Sequence, residues 1–311
     1  MCMQFWALIV DSFRESRDRK IFWVMLGLSV LIAAAMSCIS FEQGRVNFLF
    51  GAKVFETDYF TGVTGIKTDV IAALVVDGIM DTALGGMGVL LSIIATASFF
   101  PTFLERGAID VVLSKPMPRW KLFLGRYFGG MVFIGVQATI FVALTFLVVG
   151  LRWGVWLPGY LLAIPLVVLL FSYLYCVSAL VAVVTRSTVA AVLLTMLAWM
   201  AFTGVQTVDD LFTMYPEWQK QKLVYEGVHA ARWMVPKTQD ITYHAKKWSR
   251  AANASIFVHA DNDDDREMVD RATKVEAARL AMNPIAIIGS SLLFEAVIVL
   301  LTMWKFARKD Y

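Results

Sequence analysis

Six stretches of this chain run for about twenty residues with almost no charge, and the polar residues are gathered in the intervals between them. The first is Ile21 to Ser40. Thr82 to Phe100, Tyr127 to Leu151, Trp153 to Thr185 and Thr188 to Gln206 follow, and Pro284 to Trp304 is the sixth, broken by one acid, Glu295. Each is long enough as a helix to cross a hydrocarbon core of roughly 30 Å. The pattern therefore predicts an all-α polytopic membrane protein with six transmembrane helices. Gly85, Gly86 and Gly88 in the second stretch are small enough to let neighbouring helices approach closely.

The intervals predict their own elements. Residues 1–20 read as an interfacial amphipathic helix. Phe5, Trp6, Ile9, Val10 and Phe13 recur at helical spacing, and Asp11, Arg14, Glu15, Arg17 and Arg19 lie elsewhere on the wheel. The basic lead-in and the Ala35-Met36-Ser37-Cys38 run imitate a lipoprotein signal, but the cleavage pattern is poor, so an uncleaved first span is expected. In the Phe41–Val76 excursion, RVNFLFGAKVFETDYF alternates loosely around a glycine, which is compatible with a small β-ribbon. Residues 207–283 form the longest interval and read as an extracytoplasmic subdomain before the last span.

Between the second and third spans lies FPTFLERGAIDVVLSKPMPRWKLFLGR. Thr102 followed by Glu105 has the form of a capping box, which starts a helix. Pro101 before it and Pro116 and Pro118 after it predict a separate helix, Thr102 to Leu113, fenced at both ends. Leu104, Ala108, Val111 and Val112 supply an apolar flank, and Glu105, Arg106 and Asp110 a polar one. Two readings stand on these residues alone: a turn lying on the lipid surface, or a docking knob for a soluble partner.

Composition agrees with the membrane assignment. The chain has 311 residues, 59% of them hydrophobic and 17% charged, with a mean hydropathy of +0.66. A net charge of +3 is too small to suggest nucleic acid. Cys2, Cys38 and Cys176 lack metal-like spacing and suggest no disulfide framework. If the N-terminus is cytoplasmic, the inside segments hold 13 basic residues and the short outside loops hold 4. The positive-inside rule then places both termini in the cytoplasm, and long loops such as 207–283 are exempt from it. Trp23, Trp120, Trp153, Trp156 and Trp304 stand near span ends as interface anchors. The aromatic-rich region Tyr215 to Trp248 fits either the outer interface or a cap over a translocation route.

Little else carries chemistry. No G-x-x-x-x-G-K-[ST] phosphate loop occurs. His229, His244 and His259 fall fifteen residues apart, so they read as scattered surface residues and no metal site is expected. The acidic run around Asp263 lacks the glycine and final glutamate of a calcium loop. Glu295 stands out, because an ionised side chain in mid-span is costly unless paired or turned to an aqueous cavity. It reads either as a substrate-path or switch residue, or as an acid hydrogen-bonded to a neighbouring helix, with Tyr173, Tyr175 or Thr195 as candidate partners. Gln137 in the third span reads as interhelical glue.

With the Phe100–Arg126 stretch placed in the cytoplasm, its motif becomes specific. FLERGAIDVVLSKPMPRWKLFLGRYFGG resembles the permeases of type-2 ABC transporters, nearest to the copper-enzyme maturation type. In many of these an E-x-G-x-x-(D/E)-x-x-L-(S/A)-x-P-x-x-R-like run follows the second span. The matching residues are Glu105, Gly107, Asp110, Leu113, Ser114, Pro116 and Arg119. The FARKDY tail and the Asn283-Pro284 pair opening the last span are also similar. The large 207–283 loop departs from the compact members.

The resemblance implies a permease subunit that forms a translocation path with a second copy or a related permease, surrounded by membrane lipids. It implies that Thr102, Glu105, Arg106, Gly107, Asp110, Leu113, Pro116 and Arg119 form a coupling helix on which a separate ABC ATPase docks. ATP and Mg would be bound by that ATPase and not by this chain, which would have no catalytic residues. Export and a cell (inner) membrane location are expected on the same ground. Two other classes remain open: a scaffold or mechanotransmission subunit that translocates nothing, and a membrane-embedded lipid-modifying enzyme. The second is weakened by the absence of clustered Asp, His or Glu in the spans and short cytoplasmic loops.

Overall fold

The computed structural model describes residues 20–42, 45–48, 53–56, 75–82, 86–104, 118–250, 275 and 277–308. Six helices in it are long and apolar enough to cross a membrane: Lys20–Ser37, Val75–Phe103, Arg119–Trp153, Pro158–Thr185, Thr188–Met214 and Pro284–Arg308. They coincide with the six apolar stretches and are called the first to sixth spans below. The proposed interfacial helix over 1–20 lies almost wholly outside the described residues.

The fourth span is the hub. It packs against the third, fifth and sixth, and 67% of its most apolar window is buried, against 11% for the fifth and 17% for the first and sixth. A helix that is apolar around its whole circumference belongs inside a bundle, and this one is. Its end is set by Arg186, which adopts the left-handed conformation (φ 55°) and returns its N–H to Ala182 O at 2.8 Å. Ser187 then caps the fifth span, its Oγ accepting from the Ala190 N–H at 3.3 Å. A two-residue turn of this kind makes the fourth and fifth spans antiparallel neighbours. The first span is held to the third by Gln137, whose amide nitrogen donates to Phe22 O at 3.0 Å, and by the Phe22 ring on Phe133, 5.9 Å between centroids.

A small antiparallel sheet stands where the loose alternation suggested a ribbon. Its strands are β1 (Ile39–Glu42), β2 (Arg45–Phe48) and β3 (Lys53–Glu56), in that spatial order. Ile39 pairs with Phe48, and Phe48 with Lys53. The first helix stops at Ser37 and not at Ser40, because β1 takes up the chain two residues later. Trp153, expected as an interface anchor, is instead buried and donates its indole N–H to Ile39 O at 2.9 Å, tying the sheet to the end of the third span. Trp23, Trp120, Trp156 and Trp304 are exposed, as anchors require.

Several helix boundaries differ from those read from the sequence: the second span begins at Val75 and not Thr82, the fourth at Pro158 and not Trp153, and the sixth runs to Arg308 and not Trp304. The fifth span continues past Gln206 to Met214, and the third begins at Arg119, eight residues before Tyr127. The N-cap role read for Thr102 also needs correction. The chain turns at Ala97 and Ser98, and Phe99–Phe103 is one short helix. Thr102 lies inside it, its N–H already donating to Ser98 O at 3.0 Å, so it is not an N-cap. Pro101 is tolerated because the first-turn N–H groups of a helix have no intrahelical acceptor to lose. Residues 105–117, which carry the rest of the motif, lie outside the described residues.

Beyond the fifth span the chain forms the helices Lys222–Met234 and Thr238–Arg250. Thr238–Arg250 packs on the fourth, fifth and sixth spans, so this layer is continuous with one end of the bundle.

Candidate functional site

Of the residues matched to the coupling motif, Thr102 and Arg119 are described, whereas Glu105, Arg106, Gly107, Asp110, Leu113 and Pro116 lie outside the described residues. The two roots of the segment are nevertheless well defined. On one side Phe99, Phe100 and Phe103 are buried, and on the other Phe123 and Phe306 are. Phe100 lies 5.3 Å from Phe123, Phe123 is 6.0 Å from Phe306, and Phe103 stacks on Phe306 at 6.3 Å between centroids. Arg126 spans the gap: its guanidinium sits 5.3 Å from the Phe103 ring, and its Nε donates to Phe99 O at 3.4 Å. Arg119 donates to Ala307 O at 3.2 Å. The second, third and sixth spans are thus joined by aromatic packing at the point from which residues 105–117 leave and return.

Glu295 lies between three spans. Its Oε1 accepts from the Tyr127 hydroxyl at 2.7 Å, and its Oε2 accepts from Ser172 Oγ at 2.8 Å. The sixth span is therefore bonded through one carboxyl to the third and the fourth. The partners differ from those the sequence suggested. Thr195 gives its hydroxyl hydrogen to Ala191 O at 2.6 Å, and Tyr175 instead stacks on Tyr127 at 5.0 Å. Tyr175 is admitted by Gly130, where an added Cβ would fall 2.4 Å from the tyrosine oxygen. The glycine thus permits the tyrosine stack that positions the Tyr127 donor.

A third polar constellation went unseen in the sequence. At the far end of the fifth span, Arg232 is 2% exposed and extends one nitrogen to Asp209 and Asp210 and the other to Asp240 at 2.7 Å. Arg279 is as deeply buried, pairs with Asp210, and reaches Asp240 at 3.2 Å. Gln206 joins in, donating to Pro236 O at 3.0 Å and accepting from the Gln239 N–H at 3.1 Å. Burial alone would push the Arg232 guanidinium down, but Asp240 and Asp209 more than offset it and hold the charge firmly. The only hint in the sequence was that the 207–283 interval is nearly charge-balanced. Which charges meet depends on residues up to 69 positions apart.

Next to this cluster, Lys237 is wholly buried, its amine donating to Ser290 Oγ at 2.7 Å and resting 4.2 Å from the Trp233 ring. Burial lowers its amine to about 8, with Arg232 acting in the same direction and Asp240 opposing both. The unfolded amine keeps its ordinary value near 10.5, so between these values the unfolded chain binds more protons than the folded one. Stability contributed by this group therefore rises as pH increases from about 8 to 10.5. In melting curves across that interval the wild type should gain relative to Lys237→Met. Parallel curves for the two would show that the amine is not desolvated.

His244, read from its spacing as a surface residue, is buried beside Trp248, and burial holds its imidazole below its ordinary value. His229 is half exposed and bonds Asp209 at 3.2 Å. His259 and the Asp263 run lie outside the described residues.

No curated protein and no solved structure matches the chain. A family model, that of the ABC-2 family transporter protein, matches residues 6–311. That match covers nearly the whole sequence, including all six spans and the polar constellations just described, and with them it identifies a multi-pass membrane protein: the chain belongs to the ABC-2 family, the permeases of type-2 ABC transporters.

Proposed function

We propose that this chain is the permease subunit of an exporter driven by a separate ATP-hydrolysing subunit, with residues 105–117 and their flanks as the docking element. One observation supports this most: both roots of that segment rest on a single aromatic platform that joins the second, third and sixth spans. A push delivered to such a segment reaches three membrane helices at once. The sequence carries no phosphate loop of its own. In this reading both termini and the docking segment face the cytoplasm across a cell (inner) membrane, as the distribution of basic residues favours. A second copy, or a related permease, completes the path, and the sparsely buried fifth and sixth spans offer apolar surface for it. ATP and Mg belong to the partner. The expected result is that the purified chain hydrolyses no ATP and is recovered with an ATPase, two permeases per complex; robust hydrolysis by the chain alone would overturn the reading.

Glu295 is the proposed conformational switch, since one carboxyl bonds two neighbouring helices. Glu295→Gln keeps the shape but turns one acceptor into a donor that faces a hydroxyl. The variant should insert normally and change transport or substrate-stimulated ATPase activity several-fold. Wild-type behaviour in every assay of the complex would leave the carboxyl a purely structural bond.

A further inference from the structure

The corner that joins the helices Lys222–Met234 and Thr238–Arg250 is bonded to two spans at once. On the fifth span, Gln206 donates to Pro236 O at 3.0 Å and accepts from the Gln239 N–H at 3.1 Å. On the sixth, Ser291 Oγ accepts from the Lys237 N–H at 3.0 Å, and Ser290 Oγ accepts from the Lys237 amine at 2.7 Å. The fifth and sixth spans each lean on the fourth, and they meet one another at Phe202 and Phe294, 5.6 Å between ring centroids. Residues 236–239 therefore clasp the fifth span to the sixth at the end of the bundle that carries the 207–283 layer. Ser291 lies one helical turn from Glu295, so the clasp grips the sixth span beside the carboxyl that bonds it to the third and fourth.

One of these four bonds is made by a group that can lose its charge. Lys237 is wholly buried, and the partners its amine touches, Ser290 Oγ and the Trp233 ring, are neutral. The surrounding charges are engaged elsewhere. Asp240, on the helix that begins at Thr238, is held by Arg232 and Arg279. Asp209 and Asp210 on the fifth span are held by the same two arginines, and His229 also bonds Asp209. His244 is kept by burial below its ordinary value of 6.5, so it stays neutral above pH 7. Glu295 is bonded to Tyr127 and Ser172. An ammonium removed from water with no carboxylate in contact is destabilised relative to the amine, and opening the corner to water relieves that penalty. The closed clasp therefore favours the neutral amine and the open one the ammonium.

We propose that residues 236–239 are a proton-controlled clasp: a proton taken up by the Lys237 amine from the surrounding medium loosens the tie between the fifth and sixth spans. The inference concerns the packing of this layer and not transport, so its failure leaves the permease assignment standing. Hydrogen exchange of the Lys237 and Gln239 backbone N–H groups, which donate into the clasp, reads its opening. The purified full chain in phosphatidylcholine nanodiscs is exchanged at pH 7 and at pH 9, and each rate is divided by the intrinsic rate of that amide at that pH. Burial lowers the closed amine to about 8, with Asp240 opposing and Arg232 assisting, and the open one keeps 10.5. Protection should therefore rise roughly tenfold from pH 7 to pH 9. In Lys237→Met it should be the same at both pH values. Ser290→Asp, which gives the ammonium a carboxylate inside the clasp, should remove most of the rise. A tenfold rise that survives in Lys237→Met overturns the proposal. Equal protection of the unmutated chain at pH 7 and pH 9 also overturns it, whether or not a variant folds.

Discussion

Replacing Arg232 with alanine should cost about 3–5 kcal/mol of stability, the penalty for breaking a buried ion pair by removing one side of it. The size follows from what is left behind. Asp240 is fully buried and Asp209 nearly so, and both lose a charged donor that bridges them. Arg279 still pairs with Asp210 and approaches Asp240, but it makes no pair with Asp209. The Lys222–Met234 helix, which carries Arg232, would then have little to hold it, since its own face is largely exposed. Lysine at 232 should rescue only in part, because a single ammonium cannot reproduce a fork that engages two carboxylates on opposite sides. Thermal unfolding in detergent, together with limited proteolysis between residues 207 and 283, measures this. A variant that melts like the wild type and resists protease equally would show that the cluster contributes packing alone.

Glu105→Lys should abolish recovery of the ATPase with this chain. The proposal assigns Glu105 to the docking surface, and an interfacial charge facing its own sign is penalised beyond the loss of its pair, by about 2–5 kcal/mol. A factor of ten in affinity corresponds to about 1.4 kcal/mol, so the complex should fall below detection in a pull-down while membrane levels stay normal. Thr102→Ala is the matched control. As an N-cap, Thr102 would have been worth about 1 kcal/mol, but its N–H is already bonded to Ser98 O inside a helix. Its loss should leave assembly close to wild type. Undiminished assembly and nucleotide-driven transport with Glu105→Lys would return this segment to a turn on the lipid surface.

The contrast between those two residues shows how far reading the chain alone could go. The Thr-x-x-Glu pattern and the proline before it pointed to a helix start at Thr102, yet Thr102 lies inside the short helix Phe99–Phe103. Proline is compatible with the first turn of a helix as well as with the end of the previous one, and packing of Phe99, Phe100 and Phe103 against Phe123 and Phe306 decided between them. The same limit applied to Glu295. Its burden as an acid in mid-span was legible, but its donors were not, because Tyr127 and Ser172 lie 168 and 123 residues away.

What the sequence determined by itself was the solvent and the plan. A bilayer demands about twenty apolar residues per crossing, and this local requirement marked all six spans; alternation and residue spacing, equally local, marked the sheet-forming excursion and the motif that pointed to the family. The tertiary structure decided which polar groups meet. Gln137 with Phe22, Glu295 with Tyr127 and Ser172, and Arg232 with Asp209 and Asp240 are each pairs across different helices. Such pairs form because a buried polar group must find a partner wherever the fold brings one. Nothing in the neighbouring residues of the chain records which partner that will be.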